Sequence, residues 1–214
     1  LRILDSLLDL ARLEAGASTL DRREIEVKDL LTEIAGEAQS FIIAAGQTLS
    51  VTCESEVEHV AVQVDAGRLR HVFINLLTNA SKYSLPGAQI HLSAEAAPLE
   101  FIRFAVRDHG AGIPAESVAH VFDRFYRAPD QSKTGAGLGL AIAREIVVAH
   151  GGTISCTSEV GRGTYFSFLI PRLSSAGRAP CLSPRTSRAV CTKTAPRRGA
   201  NGSRSYFCWL VTNI

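Results

Sequence analysis

Apolar residues recur along this chain at two spacings, and each spacing marks a different kind of element. Leu1, Leu4, Leu7, Leu8 and Ala11 lie on one stripe of a helix that is already at full period at its first residue and closes at Gly16, as a C-terminal glycine closes a helix. The pattern predicts the end of a longer helix over residues 1–16, then a linker and first strand over 17–27. Val27, Leu30, Leu31, Ile34, Ala38 and Phe41 repeat at helical spacing, and "LSVTCE" and "HVAVQVD" then read as short strands. The cleanest amphipathic pattern covers residues 66–83, where Leu69, Val72, Phe73, Leu76, Leu77 and Ala80 form the apolar face. "QIHLSAEA" and "EFIRFAVRD" alternate as strands about the connector "APLE". A short helix over 117–125, a polar loop, a helix over 138–150 and two strands about a glycine-rich turn follow. Several strands are joined by connections too short for parallel crossovers. The expected class is therefore α/β, a two-layer sandwich of a mixed sheet with helices packed on one face.

The charge balance changes where this pattern stops. The 214 residues carry a net charge of +2, yet residues 172–214 hold eight Lys or Arg and no Asp or Glu. That leaves fifteen basic against twenty-one acidic residues, a net of −6, in residues 1–171. Past Pro171 the sequence turns rich in Ser, Arg, Pro and Gly without any period, the composition of a segment that cannot bury enough surface to order itself. An unstructured tail is the preferred expectation, and a basic arm for nucleic acid or anionic lipid the alternative. The abrupt change also fits out-of-frame translation after Pro171, which the coding DNA would reveal. No run approaches 18 apolar residues and no basic-then-apolar signal opens the chain, so a cytosolic domain is expected. Cys53, Cys156, Cys181, Cys191 and Cys208 show no C-x-x-C spacing, which argues against a zinc site or a disulfide framework.

Four stretches carry candidate chemistry. On the 66–83 helix, Asn75, Asn79 and Lys82 fall within about 60° of one another, opposite the apolar stripe. Two asparagines in mid-helix oppose local propensity. Amide oxygens can ligate a hard cation such as Mg²⁺, and a lysine can bind phosphate as a point charge, although a plain polar surface would also account for them. In "VRDHGAGIP", Asp108 ends a strand and Gly110, Gly112, Ile113 and Pro114 follow. A carboxylate beside glycines lets a planar ligand approach the backbone while the acid accepts a hydrogen bond, for instance from the exocyclic amine of adenine. In "VFDRFYRAPDQSK", Phe122 and Phe125 are expected to plug the core, with Tyr126 and Arg127 where the chain leaves the fold. Arg127 could reach a phosphate or serve as a surface charge. In "TGAGLGLAIAREIVVAHGG", Gly135, Gly137 and Gly139, with Leu138 and Leu140 between and after them, open a helix whose first amides form an anion cradle. The spacing is not the dinucleotide fingerprint, and no Lys-Ser or Lys-Thr follows the last glycine, which excludes a P-loop.

Taken in order, N-x-x-x-N-x-x-K-Y, D-x-G-x-G-I-P, F-x-x-F-Y-R and G-x-G-L-G-L resemble the N, G1, F and G2 boxes of the sensor histidine kinase catalytic domain. That family sits in the wider group shared with gyrase-type and chaperone ATPases. The resemblance runs from about Leu20 to Pro171, and "LLDLARLEAG" is similar to the end of the second dimerisation helix of such kinases. It implies a Bergerat-type ATP-binding fold over residues 28–171, with ATP and Mg²⁺ as cofactors. Asn75 and Asn79 would hold Mg²⁺ and the phosphates, Lys82 and Tyr83 would complete that wall, and Asp108 would read the adenine amino group. Gly110 and Gly112, with Ile113 beside them, would leave room for the ring. Tyr126 would border the nucleotide, and Arg127 would steady the terminal phosphates. Gly135, Gly137 and Gly139 would hinge and cap a lid of residues 128–134, with Leu138 and Leu140 packing its base.

The resemblance also implies a reaction. Hydrolytic relatives carry a glutamate on the N-box helix as base for water, and Asn75 and Asn79 cannot take a proton. Transfer to a histidine that is itself the nucleophile needs mostly positioning and charge neutralisation. The implied activity is a protein-histidine kinase relaying phosphate to the receiver domain of a response regulator in two-component signalling. The family's acceptor is a histidine followed by an acidic residue on the first dimerisation helix. None of His59, His71, His91, His109, His120 or His150 has that context. The expectation is a chain that binds ATP, needs a separate dimerisation domain for its acceptor, and derives from a membrane-anchored, homodimeric parent. His71 and His150 read as structural, with a charge on His150 favoured at a helix C-terminus. Two rivals remain. One is a serine kinase acting on a partner protein, against which F-x-x-F-Y-R and "LARLEAG" argue. The other is a non-catalytic nucleotide-binding or interaction fragment working through its basic tail, which deletion of residues 172–214 would separate from the kinase.

Overall fold

The computed structural model of the chain describes residues 20–128 and 136–173. The expected helix over 1–16, residues 129–134 of the expected lid, Gly135 and the tail beyond 173 lie outside these. Strand β1 (Arg23–Glu26) runs into helix α1 (Val27–Ala44), and β2 (Thr48–Cys53) and β3 (Ala61–Val64) lead to helix α2 (Ala66–Tyr83). Strands β4 (Gln89–Ala97) and β5 (Phe101–Arg107) form a hairpin. After them come the one-turn helix α3 (Ala115–Val118), helix α4 (Gly139–Ala149) and the hairpin of β6 (Thr153–Glu159) and β7 (Gly163–Pro171).

The main sheet has the order β2-β4-β5-β7-β6, parallel between β2 and β4 and antiparallel elsewhere. A parallel pair needs a long crossover, and α2 lies within it. The helices pack on one face, giving the expected two-layer mixed α/β fold. Alternation decides which side chains meet them: Ile90, Leu92 and Ala94 on β4, Ile102, Phe104 and Val106 on β5, and Phe166, Phe168 and Ile170 on β7 are buried. Phe73 of α2 docks edge-on against Phe104 and Phe168, with ring centroids 5.4 and 5.0 Å away. Such edge contacts add about 0.5–1.5 kcal/mol each beyond the area they bury. Strand β3 pairs with β1 on one side. On the other side Val62 bridges Arg172, and the Leu173 N–H donates to the Ala61 carbonyl at 3.1 Å. Ordered pairing thus continues past Pro171.

Three expectations change. The helix expected over 117–125 is only the single turn Ala115–Val118, followed by turns to Phe125. Phe122 packs against the core as expected, but Phe125 does not plug it. Its backbone takes the left-handed conformation (φ +61°) while its N–H donates to the Gly137 carbonyl at 2.9 Å. That turn leaves the residue 62% exposed. His150, read as a charge at a helix end, is instead 3% exposed. Burial holds its imidazole below the usual histidine range, because desolvation disfavours the charged form more than the helix end favours it. His71 is exposed.

Candidate functional site

Helix α2 supplies one wall of a cavity of about 670 Å³. Its start is fixed by Asp65, whose Oδ1 accepts from the Arg68 N–H at 3.1 Å, and its apolar stripe orients the polar face outward from the core. Asn75, Thr78, Asn79, Lys82 and Tyr83 line the cavity from that face. The Lys82 ammonium also lies 5.0 Å from the centroid of the Tyr83 ring.

Asp108, just past the end of β5, lines the same cavity and is 4% exposed. Its Oδ1 accepts from the Gly110 N–H at 2.9 Å and the Thr164 N–H at 3.2 Å. Burial raises its carboxyl above the usual range, and the two backbone donors and the His109 charge only partly offset this. The neighbouring strand comes close because Gly163 has no side chain. A Cβ there would stand 2.1 Å from the Asp108 carbonyl oxygen, on a backbone at φ +101°. Gly112 is constrained in the same way, at φ +71° and 2.1 Å from the Glu159 carbonyl oxygen. The loop around it is tied to the β6–β7 hairpin by Ile113 N–H donating to Ser158 Oγ at 2.8 Å and Gly161 N–H donating to the Ala111 carbonyl at 2.8 Å.

The third side is the start of α4. Asn75 Nδ2 donates to the Gly139 carbonyl at 3.1 Å, which anchors the amide and directs its Oδ1 as an acceptor. Leu138 occupies the N-cap position and offers no side-chain cap to the first amides of α4. Such an end suits an anion.

Every sequence-predicted site residue among those described lines this cavity except Gly110, whose part is the bond to Asp108. Asn75, Asn79, Lys82, Tyr83, Asp108, Gly112, Ile113, Tyr126, Arg127, Gly137, Leu138, Gly139 and Leu140 come together. Gly135 lies outside the described residues. Ala128, the first residue of the expected lid, lines the cavity too, and sequence reasoning missed Thr78, Val121, Ala136, Thr164 and Phe166. Thr78 lies beside Asn79 on the same helix face, a signal that was available. Thr164 acts through its backbone N–H, which only the strand register brings to Asp108. No group of three or more His, Cys, Asp or Glu that could hold a metal occurs among the described residues, and no helix there is long and apolar enough to cross a membrane. An apolar cavity of this size with a few convergent polar groups is built for a small-molecule ligand.

Known proteins share this architecture. The profile of the histidine kinase-, DNA gyrase B- and HSP90-like ATPase family matches residues 64–174. The chain is 36% identical over 176 residues to the sensor protein DivL of Caulobacter vibrioides, aligning 82% of itself with 22% of DivL. To the sensor histidine kinase WalK of Bacillus subtilis it is 33% identical over 176 residues, covering 80% of itself and 28% of WalK. It thus spans about a quarter of the length of these relatives. Full-length ShkA in complex with AMPPNP superposes with a TM-score of 0.73 at 29% identity, over 81% of this chain and 36% of that one. The catalytic domain of histidine kinase ThkA gives a TM-score of 0.62 at 27% identity, over 71% of this chain and 96% of that one. The cavity and these likenesses converge on one conclusion: the chain belongs to the histidine kinase-, DNA gyrase B- and HSP90-like ATPase family, in its sensor histidine kinase branch.

Proposed function

We propose that the cavity binds ATP and presents its γ-phosphoryl group to a histidine of a sensor kinase dimerisation domain. The observation that carries this is the buried Asp108 carboxylate, held by two backbone donors in the same cavity that Asn75, Asn79 and Lys82 line. Asp108 accepts from the adenine amino group, and Gly112 and Ile113 border the ring. At the other end Lys82, Arg127 and the uncapped start of α4 meet the phosphates. ShkA, solved with AMPPNP, supports this choice of ligand.

Mg²⁺ fits the donor set. The described residues of the α2 wall offer neutral amide oxygens and no carboxylate cluster, and Mg²⁺ in nucleotide sites is held largely by phosphate oxygens and water. Asn75 and Asn79 would complete its shell, and the ion would neutralise charge on the phosphates. In the transfer, the bond from the γ-phosphorus to the bridging oxygen breaks, a bond to an imidazole nitrogen forms, and ADP leaves. The acceptor belongs to a dimerisation helix and is none of the six histidines in this chain. The phosphohistidine then serves a response-regulator receiver domain, and the parent kinase acts as a homodimer.

Calorimetric titration with ATP, with and without Mg²⁺, tests the site on the wild type and on Asp108→Asn. A parallel assay supplies a histidine-bearing dimerisation domain and radiolabelled ATP. Mg²⁺-dependent binding by the wild type, binding about ten- to a hundredfold weaker in the variant, as expected for losing a hydrogen bond to a charged group, and label on the supplied histidine are the expected results. Absence of binding by both proteins overturns the ATP site, and binding without transfer overturns the kinase step.

A further inference from the structure

The two helices that carry the nucleotide site are fastened together twice. At the site, Asn75 of α2 donates from Nδ2 to the Gly139 carbonyl of α4. At the far end, the buried His150 closes α4 beside the start of α2. Its Nε2 lies 3.0 Å from the Asp65 backbone nitrogen, which can only donate, and its Nδ1 lies 2.7 Å from the Ile146 carbonyl, which can only accept. These partners fix one tautomer, a neutral ring protonated on Nδ1. From Asp65 to Asn75 is ten residues of α2, and from Gly139 to His150 eleven of α4, or about 15 and 17 Å at the helical rise. The fastenings are therefore matched in length, and the helices lie antiparallel between them.

The same junction holds the segment that precedes β1. The Asp21 N–H donates to Asp65 Oδ2 at 3.2 Å, and Arg22 Nη2 donates to the Ala149 carbonyl at 2.8 Å. Arg68 Nε lies 3.6 Å from Asp65 Oδ2. The charged groups facing His150 are thus Arg22 from the preceding segment and Asp65 and Arg68 from the start of α2.

We propose that His150 is a positioning residue for the nucleotide site: its neutral imidazole fixes the start of α2 against the end of α4 and so sets the spacing between Asn75 and Gly139. This role rests on the ATP reading above. Protonation removes the Nε2 lone pair, leaves the Asp65 N–H facing another donor, and frees α4 to shift along α2. Burial, Arg22 and Arg68 oppose the charge, while Asp65 and the Ile146 carbonyl favour it, and the net effect keeps the ring neutral below the usual histidine pKa. The fastening therefore holds above the unfolded-state value and is lost as pH falls through the lower folded-state value.

Two variants of the full chain separate positioning from bulk stability. In His150→Gln the longer amide can return an acceptor to the Asp65 N–H but cannot gain a proton. In His150→Asn the amide can still meet the Ile146 carbonyl but is too short to reach Asp65. Hydrogen exchange at the Asp65 amide, nitrogen NMR of the His150 ring and calorimetry with ATP and Mg²⁺ would be compared at about pH 7.5 and about pH 5.5, either side of the ordinary histidine value. Circular dichroism would confirm that each protein is folded. At the higher pH the wild type shows a ring protonated on Nδ1 and a protected Asp65 amide. His150→Gln binds like the wild type, and His150→Asn binds about two- to tenfold more weakly, the worth of one hydrogen bond. On acidification the wild type loses more affinity than His150→Gln, whose remaining loss comes from groups other than residue 150, the Asp108 carboxyl and the nucleotide's terminal phosphate among them. An Nε2-protonated ring or an unprotected Asp65 amide in the wild type overturns the fastening. Equal affinities across all three proteins at both pH values overturn its role at the site. Absence of nucleotide binding in every protein, with the Asp65 amide protected, overturns the ATP reading and the positioning role with it, while the hydrogen bond stands.

Discussion

The two ends of the cavity are built by opposite means. Around Asp108 the backbone does the work: the Gly110 and Thr164 amides hold the carboxylate, Gly163 lets β7 come against the Asp108 main chain, and Gly112 lets the following loop come against Glu159. Around Asn75 and Asn79 side chains on a helix face meet a helix start with no side-chain cap. In the proposed complex a flat, neutral base needs a slot of fixed shape, which main chain packed against main chain provides. In the same complex the phosphates and their cation meet polar side chains, which a helix face can present without disturbing the core. Shape at one end is thus inseparable from folding, whereas chemistry at the other is nearly independent of it.

That contrast can be broken by substitution, and stability is the measure that separates the ends. The largest effect is expected from Gly163→Ala. Its Cβ would collide with the Asp108 carbonyl on a backbone that disfavours side chains, so chemical denaturation is expected to show a loss of about 3 kcal/mol or more, together with loss of nucleotide binding. Asp108→Asn is expected to act in the opposite sense on the free protein. Because burial raises the Asp108 pKa, the folded state binds its proton more tightly than the unfolded state does. Stability is therefore lost as pH rises through the folded-state value, and at neutral pH the ionised carboxylate is a burden. The amide removes that burden, so its thermal midpoint at neutral pH should exceed the wild type's even as ATP affinity falls. The difference should shrink on acidification. The smallest effect belongs to Asn79→Ala on the partly exposed helix face. Its stability should stay within about 0.5 kcal/mol of the wild type, while calorimetry loses the gain in affinity that Mg²⁺ confers. Substantial destabilisation by Asn79→Ala would show that the phosphate end is structural too.

The same division explains what could be read in the sequence. Helix α2 was legible to its ends because its apolar stripe is unbroken, and Asn75 and Asn79 stood out by opposing that helix's propensity. The strands of the main sheet were legible because each alternates. The partners of Asp108 were only half visible. Gly110 lies two residues away, but the Thr164 amide is 56 residues on and is delivered by the pairing of β5 with β7. Phe125 was misplaced because a left-handed phenylalanine leaves no local signal, and its orientation follows from the bond to Gly137. His150 was misjudged because proximity to a helix end is visible in sequence, whereas the burial that outweighs it arises only when α4 meets α2.

Strand β3 has a mechanical consequence. Val62 pairs with Ile25 on one side and bridges Arg172 on the other, so the chain enters and leaves this fold on adjacent ladders, about 10 Å apart by strand spacing. Tension applied through the two ends would load those two short ladders first and reach the five-stranded sheet only after they part. A fold entered and left at one point can also be spliced into another protein as an insert, or reopened at a distant hairpin with its old ends joined.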